Sequence, residues 1–146
     1  MKKTFVALTA LASINAWANS IPIEPVLIPI TNQVEGVDIL MGKYEVTVEE
    51  FLRFANATNY VGPEKCFLFS KNHLPSEGAG TWRHQDIVGN PFMPIGCVGV
   101  NGAMAYAKWL SETTGKPYRL PEFNEWLYAT SGGNASRFSF GDDLNH

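Results

Sequence analysis

Sulfur is scarce in this chain: only Cys66 and Cys97 are cysteines among 146 residues, so a disulfide can join only this one pair. Positive charge is also short, with 11 basic against 14 acidic residues and a net charge of −3. That balance argues against nucleic acid as a partner. Long hydrophobic runs are absent too. The apolar stretch from Phe5 to about Ile14 is roughly half the ~20 residues needed to span a bilayer. No internal repeat or low-complexity tract is visible. What remains, at 45% hydrophobic content, is the composition of one ordinary globular domain, which excludes a disordered tail or a collagen-like chain.

The first residues have their own logic. Lys2 and Lys3 precede the apolar run, and Ala16-Trp17-Ala18 supplies a small-residue cleavage site. Residues 1–18 therefore read as a cleaved secretory signal of bacterial type rather than a membrane anchor. The expected location is periplasmic or extracellular, with no membrane contact after cleavage. Loss of the two lysines takes the mature charge to about −5. An oxidising compartment permits a disulfide. A Cys66–Cys97 bridge would close a loop of about 30 residues and contribute roughly 3–4 kcal/mol on a chain-entropy estimate. Two free buried thiols are the alternative.

Residues 19–36 carry Pro22, Pro25 and Pro29 and read as an extended N-terminal arm that cannot supply a central strand. Residues 37–46 read as a strand pair or a strand kinked at Gly42. A helix entry follows at Thr47, with Glu50 three residues on and Val46 and Phe51 at the staple positions. Phe51, Phe54 and Ala55 mark its buried face. From 61 to 95 the texture changes to Gly, Pro, Ser, Asn and His, with isolated aromatics at Phe67, Phe69, Trp82 and Phe92. A structureless loop of this length is either tied down or functional.

The most legible stretch is Gly96–Gly133. It predicts a short apolar strand, a helix over about 102–114 capped by Asn101, and a stop at Gly115 and Pro117. A second helix is predicted from near Glu122 to Gly132, burying Phe123, Trp126 and Leu127. Trp109 and Trp126 read as core aromatics.

Seven pieces of the chain now resemble a known family in the same order over about 100 residues. They are Tyr44-Glu45-Val46-Thr47, Trp109-Leu110-Ser111, Gly115 to Pro121, Glu125-Trp126, Tyr128-Ala129, Gly132-Gly133 and Phe140-Gly141-Asp142. This is similar to the first half of the formylglycine-generating enzyme (sulfatase-modifying factor) domain. The resemblance implies an α+β fold, a variant of the C-type lectin fold, over residues 37–146. Members often carry cysteines where Cys66 and Cys97 stand. The family activity is oxygen-dependent oxidation of a substrate cysteine to formylglycine, by a copper-dependent oxidoreductase.

The match also has gaps. Asn101-Gly102-Ala103-Met104-Ala105 replaces the family's Ser-Trp-x-Asp-Ala, and Glu122 replaces a capping threonine. The segments of the second half do not occur before His146: Gly-Asn-Val-Trp-Glu-Trp, associated with calcium, Arg-Gly-Gly-Ser-Trp, and the paired copper-binding cysteines. A copper site needs soft thiolate ligands. The expectation is a C-terminally truncated domain, without catalytic, copper or calcium residues of its own and non-catalytic alone. Its implied partner is the missing C-terminal half, or a protein or peptide. The alternative is a secreted non-enzymatic binding or assembly module on the same scaffold, using the exposed aromatics of 61–95.

Other residues read as structural. Arg119 is expected to pair with Glu125 or Glu45. His84 and Asp86 read as a solvated loop rather than a metal pair, and Asp142, Asp143 and His146 as a frayed end. Asn56-Ala57-Thr58 and Asn134-Ala135-Ser136 fit the glycosylation pattern and are expected to carry nothing in a bacterial export context.

Overall fold

The computed structural model describes residues 24–33, 36–62, 66–69, 75–134 and 138–143. The signal-peptide reading of residues 1–18 lies outside them.

Strands β1 (Leu27–Asn32) and β2 (Val37–Gly42) form an antiparallel hairpin, from Leu27 opposite Gly42 to Asn32 opposite Val37. The Lys43 amide extends it by donating to the Val26 carbonyl at 2.8 Å. Pro29 stands opposite Leu40 within the ladder. Both strands of a two-stranded sheet are edges, so the proline's missing donor is tolerated there. The stretch 37–46 is thus one strand ending at Gly42, and its partner comes from the proline-rich arm.

Helix α1 (Val48–Thr58) starts at a complete capping box. The Thr47 amide donates to Glu50 Oε2 at 2.7 Å, and the Glu50 amide donates to Thr47 Oγ1 at 3.3 Å. Two further first-turn amides, of Val48 and Glu49, donate to the carbonyls of Met93 and Pro91 at 2.9 and 3.0 Å. Residues 91–95 therefore wrap the start of the helix and satisfy donors that have no intrahelical partner. Asn59, at φ 54°, closes the other end.

The region 61–95 is not the structureless loop expected. It contains an antiparallel hairpin, β3 (Cys66–Phe69) with β4 (Pro75–Gly80), and a helical turn α2 (Gln85–Val88). Pro, Ser and Gly in β4 have low strand propensity, so pairing rather than local preference defines this element.

Helix α3 (Val100–Thr114) begins at Gly99, two residues before the expected cap. Gly99 is extended at φ −77° and its carbonyl accepts from the Ala103 amide at 3.0 Å, which places Asn101 inside the first turn. No strand precedes it: Cys97 sits at φ 58°, which breaks any extended run through 96–98. Gly115, at φ 73°, ends the helix, and its amide donates to the Ser111 carbonyl at 2.9 Å. The Ser111 hydroxyl then accepts from the Tyr118 amide at 2.8 Å, clipping the following segment back onto α3.

Helix α4 (Phe123–Ser131) is capped by a box between Glu122 and Glu125 and stopped by Gly132 at φ 62°. Together these elements make an α+β chain whose described sheets are two antiparallel hairpins.

The core lies between α1 and α3. Phe51, Phe54 and Ala55 from the first meet Tyr106 and Leu110 from the second, and Trp82 enters from the 61–95 region. Rings pack edge to face: Phe51 and Trp82 have centroids 5.3 Å apart at 75°, and Phe54 and Tyr106 are 5.7 Å apart at 90°. Such geometry stabilises aromatic pairs beyond simple burial. Buried Trp82 is not one of the exposed aromatics expected in its region; its indole N–H donates to the Val61 carbonyl at 2.9 Å.

Candidate functional site: a bridged wall and an open helix face

The two cysteines come together. Cys66 at the start of β3 and Cys97 before α3 form a disulfide, with Cα atoms 5.5 Å apart across 31 positions. Cys97 packs against the aromatic core, so the bridge ties the β3–β4 hairpin to the wall made by α1 and α3. Arg83 fastens the same region from outside. Its guanidinium lies 4.1 Å from the centre of the Trp82 ring and donates to the carbonyls of Tyr60 and Val61 at 2.6 and 2.9 Å.

Arg119 makes a fork with Glu125, two parallel bonds of 2.7 Å each. Glu125 also accepts from the Glu122 amide at 2.6 Å, so one carboxylate serves both the ion pair and the helix cap. The Arg119 guanidinium, with help from that amide, holds the Glu125 carboxyl down from 4.5 to about 2. Glu45, the other candidate partner, is exposed in the turn before α1 and is not the group that Arg119 meets.

The remaining candidates lie in turns and at helix ends. His84 is partly buried and its amide donates to the Thr81 carbonyl at 2.9 Å, in the turn that starts α2; the side chain of Asp86 lies outside the described residues. Asp142 and Asp143 are exposed, and His146 is outside the described residues. Asn56 is exposed late in α1 and Asn134 in the turn after α4, while Ala135 and Ser136 of the second motif are not described. Phe92 is 78% exposed, and the side chains of Phe67 and Phe69 are not described. Among the described residues no three of His, Cys, Asp and Glu gather as a metal site would need.

Two features were not legible in the sequence. One is a polar group under α1. Burial, and then the charge of Glu50, raise the Tyr106 phenol above its ordinary value of 10. The hydroxyl of Tyr118 is buried without a partner among the described residues. The second is an open cleft of about 270 Å³ over Phe54, Tyr60 and Trp109. Its rim charges, Lys108 and Glu112, face each other at 3.7 Å.

Helix α4 overturns an expectation. Phe123, Trp126 and Leu127 were to be its buried face, yet they are 73%, 52% and 49% exposed, and no residue of the helix is buried. Periodicity had placed them correctly on one face; what it cannot supply is a covering element. The helix touches strand β2 and hangs on to β1 through the Tyr128 hydroxyl, which donates to the Thr31 carbonyl at 3.3 Å. Below it, Lys116 pairs with Glu24 at the foot of the hairpin.

Residues 28–146 match the family described as the Sulfatase-modifying factor enzyme 1-like domain. The chain belongs to this family. The match starts within β1, so the proline-bearing strand is part of it. Three formylglycine-generating enzymes are similar to the chain. That of Streptomyces coelicolor is 47% identical over 60 residues, covering 40% of this chain and 17% of the relative. Those of Bos taurus and Mus musculus are 31% and 30% identical over 132 residues, covering 71% of this chain and 33% and 34% of the relatives. The chain thus spans about a third or less of the curated relatives it matches.

Proposed function

We propose that this chain supplies one wall of a formylglycine-generating-type domain, with a C-type-lectin-like variant fold, and does not itself oxidise a substrate cysteine. On this reading it is exported to an oxidising compartment, its signal sequence ends near residue 18, and the polypeptide that performs family chemistry includes further sequence. The carrying observation is that both cysteines are consumed in one disulfide. A copper(I) centre of the family type needs two thiolates. Residues 1–146 therefore do not fit copper, and no step of the family reaction is assigned to them.

The experiment is direct. The oxidised chain is incubated with a cysteine peptide, copper, oxygen and a mild thiol, and peptide aldehyde is captured with an aminooxy tag. No aldehyde above the copper-only control is expected. Conversion that depends on the chain would overturn the reading. The binding-module alternative draws its support from Phe92, an exposed aromatic among the described residues of its region, rather than from the buried Trp82.

A further inference from the structure

The Cys66–Cys97 bridge joins two places that are each fixed without it. On one side, the base of the β3–β4 hairpin is clamped shut. The Val61 carbonyl accepts from the Trp82 indole and from the Arg83 guanidinium, both at 2.9 Å, and the Tyr60 carbonyl accepts from Arg83 at 2.6 Å. Residues 60–61 and 82–83 thus hold each other, with Trp82 buried in the core. On the other side, the Ile95 amide donates to the Val46 carbonyl at 2.9 Å, and Pro94 forms a bridge with Thr47. Val98 packs on the core, and Gly99 starts α3. Cys97 is therefore placed by the neighbours on both of its sides.

The body of the hairpin is held differently. Strands β3 and β4 make a two-stranded sheet of their own and pack chiefly on each other. Among the described residues, no backbone hydrogen bond joins them to α1, α3 or the β1–β2 hairpin. The bridge is the tie from hairpin to wall that the described residues show. Both of its cysteines are only partly buried, so the bond lies at the surface of the wall and not inside the core. Cys97 also adopts φ 58°, where a residue with a Cβ is strained. Exposed or strained disulfides are the labile ones, whereas buried structural bridges resist reduction.

We infer that this disulfide is a redox latch: oxidised, it holds the β3–β4 hairpin against the wall at Cys97; reduced, it frees the hairpin to swing about its clamped base while the aromatic core stays packed. In an oxidising compartment the latch rests closed. Its reductant is a dithiol. One thiolate of the dithiol attacks a bridge sulfur, forming a mixed disulfide and releasing the other cysteine. The second thiol of the reductant then displaces the cysteine that remains bound. Two electrons pass to the bridge, the two protons of the dithiol end on Cys66 and Cys97, and the reductant leaves as its own disulfide. The latch is a conformational control and does not rest on the wall reading above.

The test treats the full oxidised chain with dithiothreitol and traps the new thiols with iodoacetamide. Reduction in native buffer is expected within about tenfold of the rate for the chain unfolded in guanidinium. In the reduced chain, amides of β3 and β4 should exchange at least about tenfold faster, while those of α1 and α3 and the Trp82 indole N–H keep their protection. Cys97→Ser should give the same exchange pattern without reductant. Cys66→Ser should match it, which guards against a folding defect confined to position 97. Native reduction only at the rate of global unfolding overturns the inference, because the bridge is then a sealed structural one. So does a hairpin as protected after reduction as before it, or loss of α1–α3 protection along with that of the hairpin. The aldehyde assay of the oxidised chain is separate: a failed latch leaves the wall reading standing, and aldehyde made by the chain refutes the wall reading without touching the latch.

Discussion

The regions on either side of Gly115 are built from similar parts and end differently. Helices α1 and α4 each carry a capping box, a left-handed stop and an apolar face. Phe51 and Phe54 on α1 are 1% and 2% exposed, whereas Phe123 and Trp126 on α4 are 73% and 52% exposed. Local capping makes a helix begin and end in both cases; only tertiary cover turns a face into a core. The first region has that cover because Trp82, held by the Val61 carbonyl and the Arg83 stack, and the disulfide bring the 61–95 region over it.

The largest effects should separate the two regions. Phe51→Ala should cost about 3–5 kcal/mol, the usual range for removing a buried aromatic, and Phe123→Ala should stay within about 0.5 kcal/mol. Chemical denaturation of both variants checks this, and similar losses would erase the contrast. Next comes the bridge. Replacing Cys66 and Cys97 with alanine should lower stability by about 3 kcal/mol and leave the Arg119–Glu125 pair intact by NMR.

Gly62→Ala should be milder but still above a surface change. The residue sits at φ 79°, and a Cβ there would lie 2.7 Å from the Trp82 ring. Strain in the left-handed region alone is about 1–2 kcal/mol, read as a lower unfolding midpoint. Thr47→Ala should cost about 1 kcal/mol through the lost cap.

The smallest effects are in pH. The Glu125 carboxyl is held near 2 in the folded chain against 4.5 in its ordinary state, so its contribution is complete above pH 4.5 and is lost as pH falls toward 2. The loss should show first in α4 amide signals. Tyr106 has the opposite sense. Its raised value means stability present below pH 10 and lost as pH rises beyond it, in the α1–α3 core. Glu125→Gln should remove the acid-side effect and leave the alkaline one.

How much of this was readable in advance follows the same division. Thr47, Glu50, Gly115 and Gly132 act within one turn, so their roles were visible in sequence. The cysteine pair followed from there being two. Less visible were features decided by distant partners. Pro29 lies in a strand because its partner strand is also an edge. Asn101 loses the cap because Gly99 already holds the extended backbone before it. Trp82, set among turn residues, enters the core because distant carbonyls and rings receive it. Trp126 does not, although its spacing on the helix is as regular as that of Phe54.

Amide hydrogen exchange on the disulfide-intact chain tests the central contrast most directly. Amides in the middle of α1 and α3 should exchange only with global unfolding, and those of α4 roughly 100-fold faster through local opening. Equal protection of α4 and α1 would contradict the account.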